Sequence, residues 1–482
     1  MALEAASSSR QKRVALALLI GFIAEFINKI CPLITLSVAQ KRLGLGSLGS
    51  ALFGLSILEI TLPLVMFGYT YYGALQLPRL ADDRVGQSRL VSQIVWLRLG
   101  HAALTALGLF AAAQFITSWA AHRDLLYKLL PFLFIAAFDM TFFNFGQQRM
   151  ARLSFWVGGF KLLNLIAVLL LVQSPDDGHL FALLMIGASA GVSVASAIWM
   201  LPRIGLHLVP LQDCWNLLKK ASGLAVVVFL YPLYERFDIL VAEKIQDAEL
   251  LGSYIAPWRL VMSLVPIFMV IATTFLSENI AARDQKAVEK GSHYALFLSL
   301  ILTFPVCVAA PFLGGDILAF VFDDSLRDAA PLFTIFTASI LAEVFVCILG
   351  MQILLLRRDL VWLAMSMGTG ILVGSLGAYA LQDSHGAIGN AMGAVLGRIL
   401  TVGIICYRIP SILRSLPWRD YLAIPVGAVV MGLSLIMMPD SWHVLIRIML
   451  GGMVYLAALG ALLWKQLTPL LQKVLRRPSG PP

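Results

Sequence analysis

Ionisable side chains lie inside several of the long apolar stretches of this sequence, and they are the residues best placed to do chemistry. A charged group at the centre of a helix in hydrocarbon costs about 2.5–3.5 kcal/mol or more. We therefore expect these side chains to face one another or a water-filled cavity. They are Glu25, Lys29, Glu59, Arg98, His101, Asp139, Lys161, Glu235, Arg236, Asp238, Arg259, Glu343 and Arg398.

The cations of this set are candidates for binding an anion. The guanidinium group of arginine is planar, always charged and able to bind two oxygens at once, whereas lysine offers a point charge. Arg98 and His101 are three residues apart, so one helix face would present both. We predict that the anion-binding residues are Arg259, Arg98, Arg398, Arg236 and Lys29.

Some of these cations also have an alternative placement near the ends or along one side of a helix. Lys29 follows Glu25 by four residues, with the acid first, which is the favoured arrangement for a local ion pair. Arg259 and Arg98 could instead extend to the polar boundary of a membrane, and Trp258 would anchor Arg259 there.

Two further arginines have sequence neighbours that give each a structural role as an alternative to anion binding. Arg236 stands between Glu235 and Asp238, which could neutralise it. Arg398 follows glycines spaced four apart at 389, 393 and 397, a pattern typical of closely packed helices. Both alternatives stay open at this stage.

The acids of the set could relay a proton or hold Na⁺, as carboxylates inside membranes commonly do. The candidates for ion coupling are Glu25, Glu59, Asp139, Asp238 and Glu343. The five cysteines are scattered and show no metal-ligand spacing. We therefore expect no metal site, no cofactor and no catalytic residues.

The composition places all these residues in a membrane protein. The chain has 482 residues, of which 59% are hydrophobic and 13% charged, and its mean hydropathy is +0.85. Soluble domains are about a quarter charged. The apolar stretches are about 20 residues long, which fits spanning helices rather than the short alternating strands of a barrel.

The fold class that we predict is all-α, with about 14 transmembrane helices. The candidate spans are 14–40, 49–75, 91–119, 125–147, 154–173, 179–201, 221–243, 252–277, 292–313, 329–356, 360–382, 386–407, 421–438 and 443–464.

The spans group into two pseudo-symmetric six-helix bundles, 14–201 and 221–407, and two additional helices at 421–464. Residues 202–220 would form a cytoplasmic linker, and 1–13 and 465–482 cytoplasmic termini.

The basic residues orient these spans. Of the 36 lysines and arginines, 23 fall on the side of the N-terminus, seven on the opposite side and six within spans. Positive charge accumulates on the cytoplasmic side, so both termini are predicted to be cytoplasmic. Anionic membrane lipids then account for the net charge of +9, and no nucleic-acid partner is expected.

The two bundles carry signs of an internal repeat. Leu48-Gly49-Ser50 recurs as Leu251-Gly252-Ser253, 203 residues later, and Pro63 and Met66 recur at the same offset as Pro266 and Met269. Paired repeats with a binding site between them are a common plan of transporters.

One segment resembles a known family. Residues 238–282 are similar to the seventh and eighth helices of polysaccharide or O-antigen (Wzx-like) flippases, in the multidrug/oligosaccharidyl-lipid/polysaccharide exporter superfamily. The matching positions are Asp238, Leu251, Gly252, Tyr254 and Arg259. The stretches 42–54 and 387–397 resemble the second and twelfth helices of the same family.

The resemblance implies an alternating-access flippase of the bacterial inner membrane. Its substrate would be an oligosaccharide linked to polyprenyl pyrophosphate, with a polysaccharide polymerase or export machinery as a further partner. The arginines would bind the pyrophosphate. The alternatives are a drug/cation antiporter of the same superfamily and a membrane glycan polymerase or glycosyltransferase. The chain offers no sizeable extramembrane domain for an enzyme of that kind.

The predicted topology can be tested with single cysteines placed in a cysteine-free variant. In cells with a permeabilised outer membrane, an impermeant maleimide should label residues 176–179 and 382–386, because their loops face the periplasm. Cysteines at 283–290 and in the C-terminal tail should stay unlabelled. Labelling of the 283–290 loop under these conditions would reverse the orientation.

Overall fold

The structure is a computed structural model. It describes the backbone of residues 2–80, 82–146, 150–242, 248–265, 285–354, 357 and 359–464. Side chains are described for residues 30–80, 82–143, 153, 155–223, 225–242, 248–265, 291–351, 353–354, 357 and 359–464. Within these ranges the chain is almost entirely helical and contains no strand.

The chain divides into two compact units, residues 1–256 and 257–482. The first unit contains α1 (Ala2–Met66), α2 (Tyr69–Gln76), α3 (Arg84–Phe115), α4 (Arg123–Ala137), α5 (Thr141–Gly146), α6 (Met150–Leu171), α7 (Gly178–Ile204) and α8 (Leu211–Ala242). Helix α9 (Ala248–Met262) contains the division. Short 3-10 helices occupy Leu77–Leu80, Thr117–His122 and Pro175–Asp177.

The second unit contains α10 (Gln285–Val321), α11 (Ala330–Phe345), α12 (Leu360–Arg408), α13 (Pro410–Arg414), α14 (Trp418–Met437) and α15 (Val444–Leu462). A 3-10 helix at Asp324–Ala329 precedes α11, and a π-helix at Val346–Leu354 follows it.

The helices have the length and apolarity of membrane spans. Nine segments of the described residues are long and apolar enough to cross a bilayer. Two of them turn at a glycine with positive φ, Gly44 (71°) in α1 and Gly386 (57°) in α12. Each of these long helices therefore corresponds to two predicted spans. The all-α, polytopic membrane fold predicted from the sequence is confirmed.

Two predicted spans are interrupted. Span 49–75 breaks at Phe67 and Gly68, where φ is 42° and 74°, and span 125–147 breaks between α4 and α5. A positive φ is rare for phenylalanine, so the first break is a strained backbone position. Both breaks lie beside a buried apolar cluster that joins α2, α3, α5, α7 and α8, and this cluster includes Tyr69, Ile94, Phe142, Met200 and Leu217.

The two arms of α12 pack closely through glycines. A Cβ atom on Gly389, Gly393 or Gly397 would overlap the backbone of the opposite arm, at Leu381, Ala378 and Gly370 respectively. The close-packing face predicted from the four-residue glycine spacing is confirmed. Backbones at this distance leave no room for even one methyl group.

Gly393→Ala should therefore lower the thermal unfolding midpoint of the detergent-solubilised protein. Overpacking of this kind costs about 1–3 kcal/mol. Gly403→Ala is the matched control on the same arm, because its Cβ would meet no atom within 4 Å. An unchanged midpoint for Gly393→Ala would show that the arms separate easily.

Candidate functional site at two interrupted membrane helices

Arg98 links the two interruptions. It projects from the middle of α3 and is 0% exposed. Its Nη1 donates to the backbone oxygen of Asp139 (2.6 Å) and its Nη2 to Thr70 Oγ1 (2.7 Å). The guanidinium carbon lies 5.3 Å from the centroid of the Phe142 ring. One side chain thus holds the start of α2 and the α4–α5 break against α3.

Side chains replace the helical hydrogen bonds that the α4–α5 break removes. The carboxylate of Asp139 accepts from the backbone N–H of Thr141 (2.6 Å), and Ser196 Oγ of α7 accepts from the N–H of Met140 (3.0 Å). Short polar side chains compete with helix geometry in this way. The break is therefore stabilised by specific hydrogen bonds, because the backbone N–H groups of Met140 and Thr141 both have acceptors.

The groups that accept hydrogen bonds from Arg98 are neutral. They are a carbonyl and a hydroxyl, and among the described side chains no carboxylate oxygen lies within 4.0 Å of its nitrogens. The Asp139 carboxylate is turned to the backbone of Thr141. In apolar surroundings a charge acts over a longer range than in water, so this carboxylate still offsets part of the Arg98 charge without touching it.

His101 lies on the same face of α3, as its spacing from Arg98 predicted. Its ring stacks on Phe67, with centroids 4.6 Å apart, and its Nδ1 is 2.9 Å from the backbone oxygen of Leu97. His101 therefore packs against the strained residue of the first break, while Arg98 reaches past it to Thr70.

Arg236 on α8 is ion-paired on two sides. Its Nε lies 3.1 Å from Glu59 Oε2 of α1, and its Nη1 lies 2.7 Å from Glu235 Oε2. All three side chains are partly buried. The sequence suggested Glu235 and Asp238 as neutralising partners, and the structure pairs Arg236 with Glu235 and with Glu59 of α1. The Arg236 side chain therefore joins α8 to α1 through an ion pair.

Asp238 is wholly buried and accepts a hydrogen bond from Tyr254 OH (2.8 Å). This contact joins α8 to α9 through two of the positions that carried the family resemblance. Arg259 lies in the last turn of α9 and is partly buried. Glu25 and Lys29 lie on α1, but their side chains are outside the described residues.

In the second unit, Arg398 and Glu343 are buried, at 0% and 1% exposure. Nη1 of Arg398 lies 3.4 Å from Ser339 Oγ, and Ser339 precedes Glu343 by one turn of α11. The closely packed arm of α12 thus presents a cation to the face of α11 that carries an acid. Among the described residues, no group of His, Cys, Asp and Glu could hold a metal ion.

The repeated glycines touch one another. A Cβ on Gly49 of α1 would lie 2.6 Å from the backbone nitrogen of Gly252, and a Cβ on Gly252 would overlap the backbone oxygen of Leu45. The two positions related by the offset of 203 residues therefore meet backbone to backbone. Any larger residue would push α1 and the start of α9 apart.

Sequence reasoning found the charged members of these clusters and missed their neutral partners. Thr70, Ser196 and Ser339 are ordinary polar residues within apolar spans. The only local signal was Gly68, two residues before Thr70, since glycine often marks a position with positive φ.

Replacing Arg98 by lysine should destabilise the fold, because one ammonium group cannot span both Asp139 and Thr70. A lost hydrogen bond to a charged group costs about 1.5–3 kcal/mol, measured as a lower unfolding midpoint in detergent. Arg89→Lys is the control on the same helix: Arg89 is exposed and paired with Asp213, and such pairs contribute about 0–1 kcal/mol. Equal effects of both variants would contradict the bridging role.

Comparison with known proteins gives matches only among solved structures. No family model matches the chain, and no curated protein sequence matches it. The fold can therefore be compared only through three-dimensional likeness.

The lipid II flippase MurJ, in an inward closed conformation, is similar with a TM-score of 0.71 and 14% identity, over 93% of this chain and 100% of that one. An inward-facing multidrug resistance MATE transporter of the MOP superfamily is similar with a TM-score of 0.60 and 13% identity, over 82% of this chain and 99% of that one. A MOP-superfamily transporter from Pyrococcus furiosus is similar with a TM-score of 0.55 and 17% identity, over 83% of this chain and 95% of that one. The chain is a multi-pass membrane protein with the fold of MOP-superfamily transporters.

Proposed function

We propose that this protein is a flippase that moves an oligosaccharide linked to polyprenyl pyrophosphate across the bacterial inner membrane by alternating access, for surface or exopolysaccharide assembly. The observation that carries the proposal is the buried guanidinium of Arg98, whose hydrogen-bond acceptors are a carbonyl and a hydroxyl. A pyrophosphate is an anion that must lose its water to cross a bilayer. A fixed positive charge inside the protein compensates for part of that loss.

Arg98 and Arg259 have different tasks in this proposal. Arg98 is fully enclosed, so in this conformation it attracts an anion through its field and not by contact. Arg259 is partly exposed and can offer two parallel N–H groups to phosphate oxygens. Arg398 and Lys29 add positive charge, whereas Arg236 is neutralised by Glu59 and Glu235 and contributes little.

The extent of the structural likeness supports a flippase. The match with the lipid II flippase omits 7% of the 482 residues, about 34 residues, which is fewer than the residues that follow position 407. Part of the segment that holds α14 and α15 is therefore included in that match. The match with the multidrug transporter covers a smaller share of the chain.

Ion coupling and partners belong to the same proposal. Among the candidate acids, Glu59 is engaged with Arg236 and Asp139 with the backbone. Asp238 and Glu343 are wholly or almost wholly buried, and with Glu25 they complete the acids that we propose for ion coupling. Both termini would be cytoplasmic, membrane lipids would surround the bundle, and a polysaccharide polymerase or export machinery would receive the product. We propose no catalytic activity.

A drug/cation antiporter is the second candidate, and one observation favours it. The cluster of Glu59, Glu235 and Arg236 contains two carboxylates and is partly exposed. Such a cluster could hold an organic cation. The buried guanidinium of Arg98 opposes this role, so the sign of the transported charge separates the two functions.

Proteoliposomes containing the purified protein should flip a fluorescent undecaprenyl-pyrophosphate-linked disaccharide and should not take up ethidium. Arg259→Lys should slow flipping about tenfold, because losing one of two parallel hydrogen bonds removes about 1.4 kcal/mol. Arg419→Lys, an exposed arginine on α14, is the matched control and should flip at the wild-type rate.

Each alternative predicts its own result in this assay. Ethidium uptake without flipping would establish the antiporter. Normal flipping by Arg259→Lys would place Arg259 at the membrane boundary as an anchor. Sugar transfer or nucleotide hydrolysis by homogeneous protein would point to an enzyme.

A further inference from the structure

A cavity of about 500 Å³ opens between α6 and α7 in the first unit, and its described lining includes no residue of the charged clusters above. It is lined by Trp156, Ala195, Ile198, Trp199, Pro202 and Arg203. Among these described residues the lining is apolar apart from one cation, Arg203, at the C-terminal end of α7. The described part of the cavity therefore combines an apolar wall with a positive charge at one end.

Two tryptophans shape the cavity. The rings of Trp156 and Trp199 meet edge to face, with centroids 6.1 Å apart and an interplanar angle of 73°. Trp199 also packs against the buried cluster around Met200 and Phe142, which fixes its position. Ile198, next to it, is 70% exposed. The wall is thus rigid on one side and open to the hydrocarbon on the other.

The side chain of Arg203 is held in place by Trp199, and its charged group remains accessible to an anion. Its guanidinium carbon lies 4.0 Å from the centroid of the Trp199 ring, and its Nη1 donates to the backbone oxygen of Trp199 (2.9 Å). The side chain is exposed. Among the described side chains, no carboxylate pairs with it. A stacked arginine is preorganised, so an anion that binds it does not have to order it first.

We propose that this cavity binds an anionic phospholipid, with the lipid phosphate on Arg203 and an acyl chain along Ile198 and the tryptophan pair. The apolar wall suits a chain, and the basic, aromatic end suits a head group at the membrane boundary. A soluble anion would use only Arg203 and would leave the apolar wall unoccupied. The described lining of the site includes none of the proposed transport residues, and the proposal does not require that they act on any substrate.

The test is native mass spectrometry of delipidated wild-type protein titrated with phosphatidylglycerol or phosphatidylcholine of the same acyl chains. Phosphatidylglycerol should bind at least fivefold more tightly at one saturable site. Arg203→Ala should remove this preference. Trp156→Ala should weaken binding of both lipids, because it removes the apolar wall and leaves the charge.

Lys219→Ala is the matched control. Lys219 is also exposed and also lies over a tryptophan, with its Nζ 5.3 Å from the Trp215 centroid, but it lines no part of this cavity. Its replacement should leave phosphatidylglycerol binding unchanged. An equal loss in Lys219→Ala would show general attraction of acidic lipid, and would overturn the proposal.

Two further outcomes would also overturn it. Arg203→Ala could keep the head-group preference, or inorganic phosphate could displace the lipid at similar concentration, which would indicate a site for a free anion. Because the assay measures binding without flipping, its failure leaves the proposed flippase function untouched, and a failed flipping assay leaves this site untouched.

Discussion

Hydrocarbon supplies no hydrogen bonds, so backbone that leaves helical geometry inside a membrane must find its partners within the protein. The interruptions near Phe67 and Asp139 meet this constraint through side chains from other helices. Arg98 donates hydrogen bonds to the Asp139 carbonyl and to the hydroxyl of Thr70 near the start of α2, and the hydroxyl of Ser196 accepts one from the backbone N–H of Met140. The packing of the first unit around these breaks depends on that arrangement.

The same arrangement links architecture to the proposed function. Transporters commonly place discontinuous helices where a ligand binds, and irregular backbone is tolerated inside a membrane where it is buried in protein or lines a water-filled cavity. Here the irregular backbone surrounds a cation whose direct hydrogen-bond acceptors are neutral, whereas the cation on α8 is ion-paired with Glu59 and Glu235. The first unit therefore holds these two arginines in different ways.

The sequence predicts the fold class and the charged positions well, because apolar length and stray charges are strong, local signals. The glycine face of α12 and the shared face of Arg98 and His101 follow from helical spacing alone. The breaks at Phe67 and Asp139 do not follow from helical spacing, because they depend on contacts that Thr70, Ser196 and Arg98 make between different helices. The pairing of Arg236 with Glu59, 177 residues away, is equally invisible to spacing. Tertiary contact decides both.

The position of Arg98 also constrains how the chain enters the membrane during synthesis. When α3 leaves the ribosome, Thr70 has already been made, but Asp139 is still 41 residues downstream. An isolated helix with arginine at its centre inserts poorly. We therefore expect the integration of α3 to become more favourable once α4 and the break that follows it have been made, so that these helices stabilise one another in the bilayer.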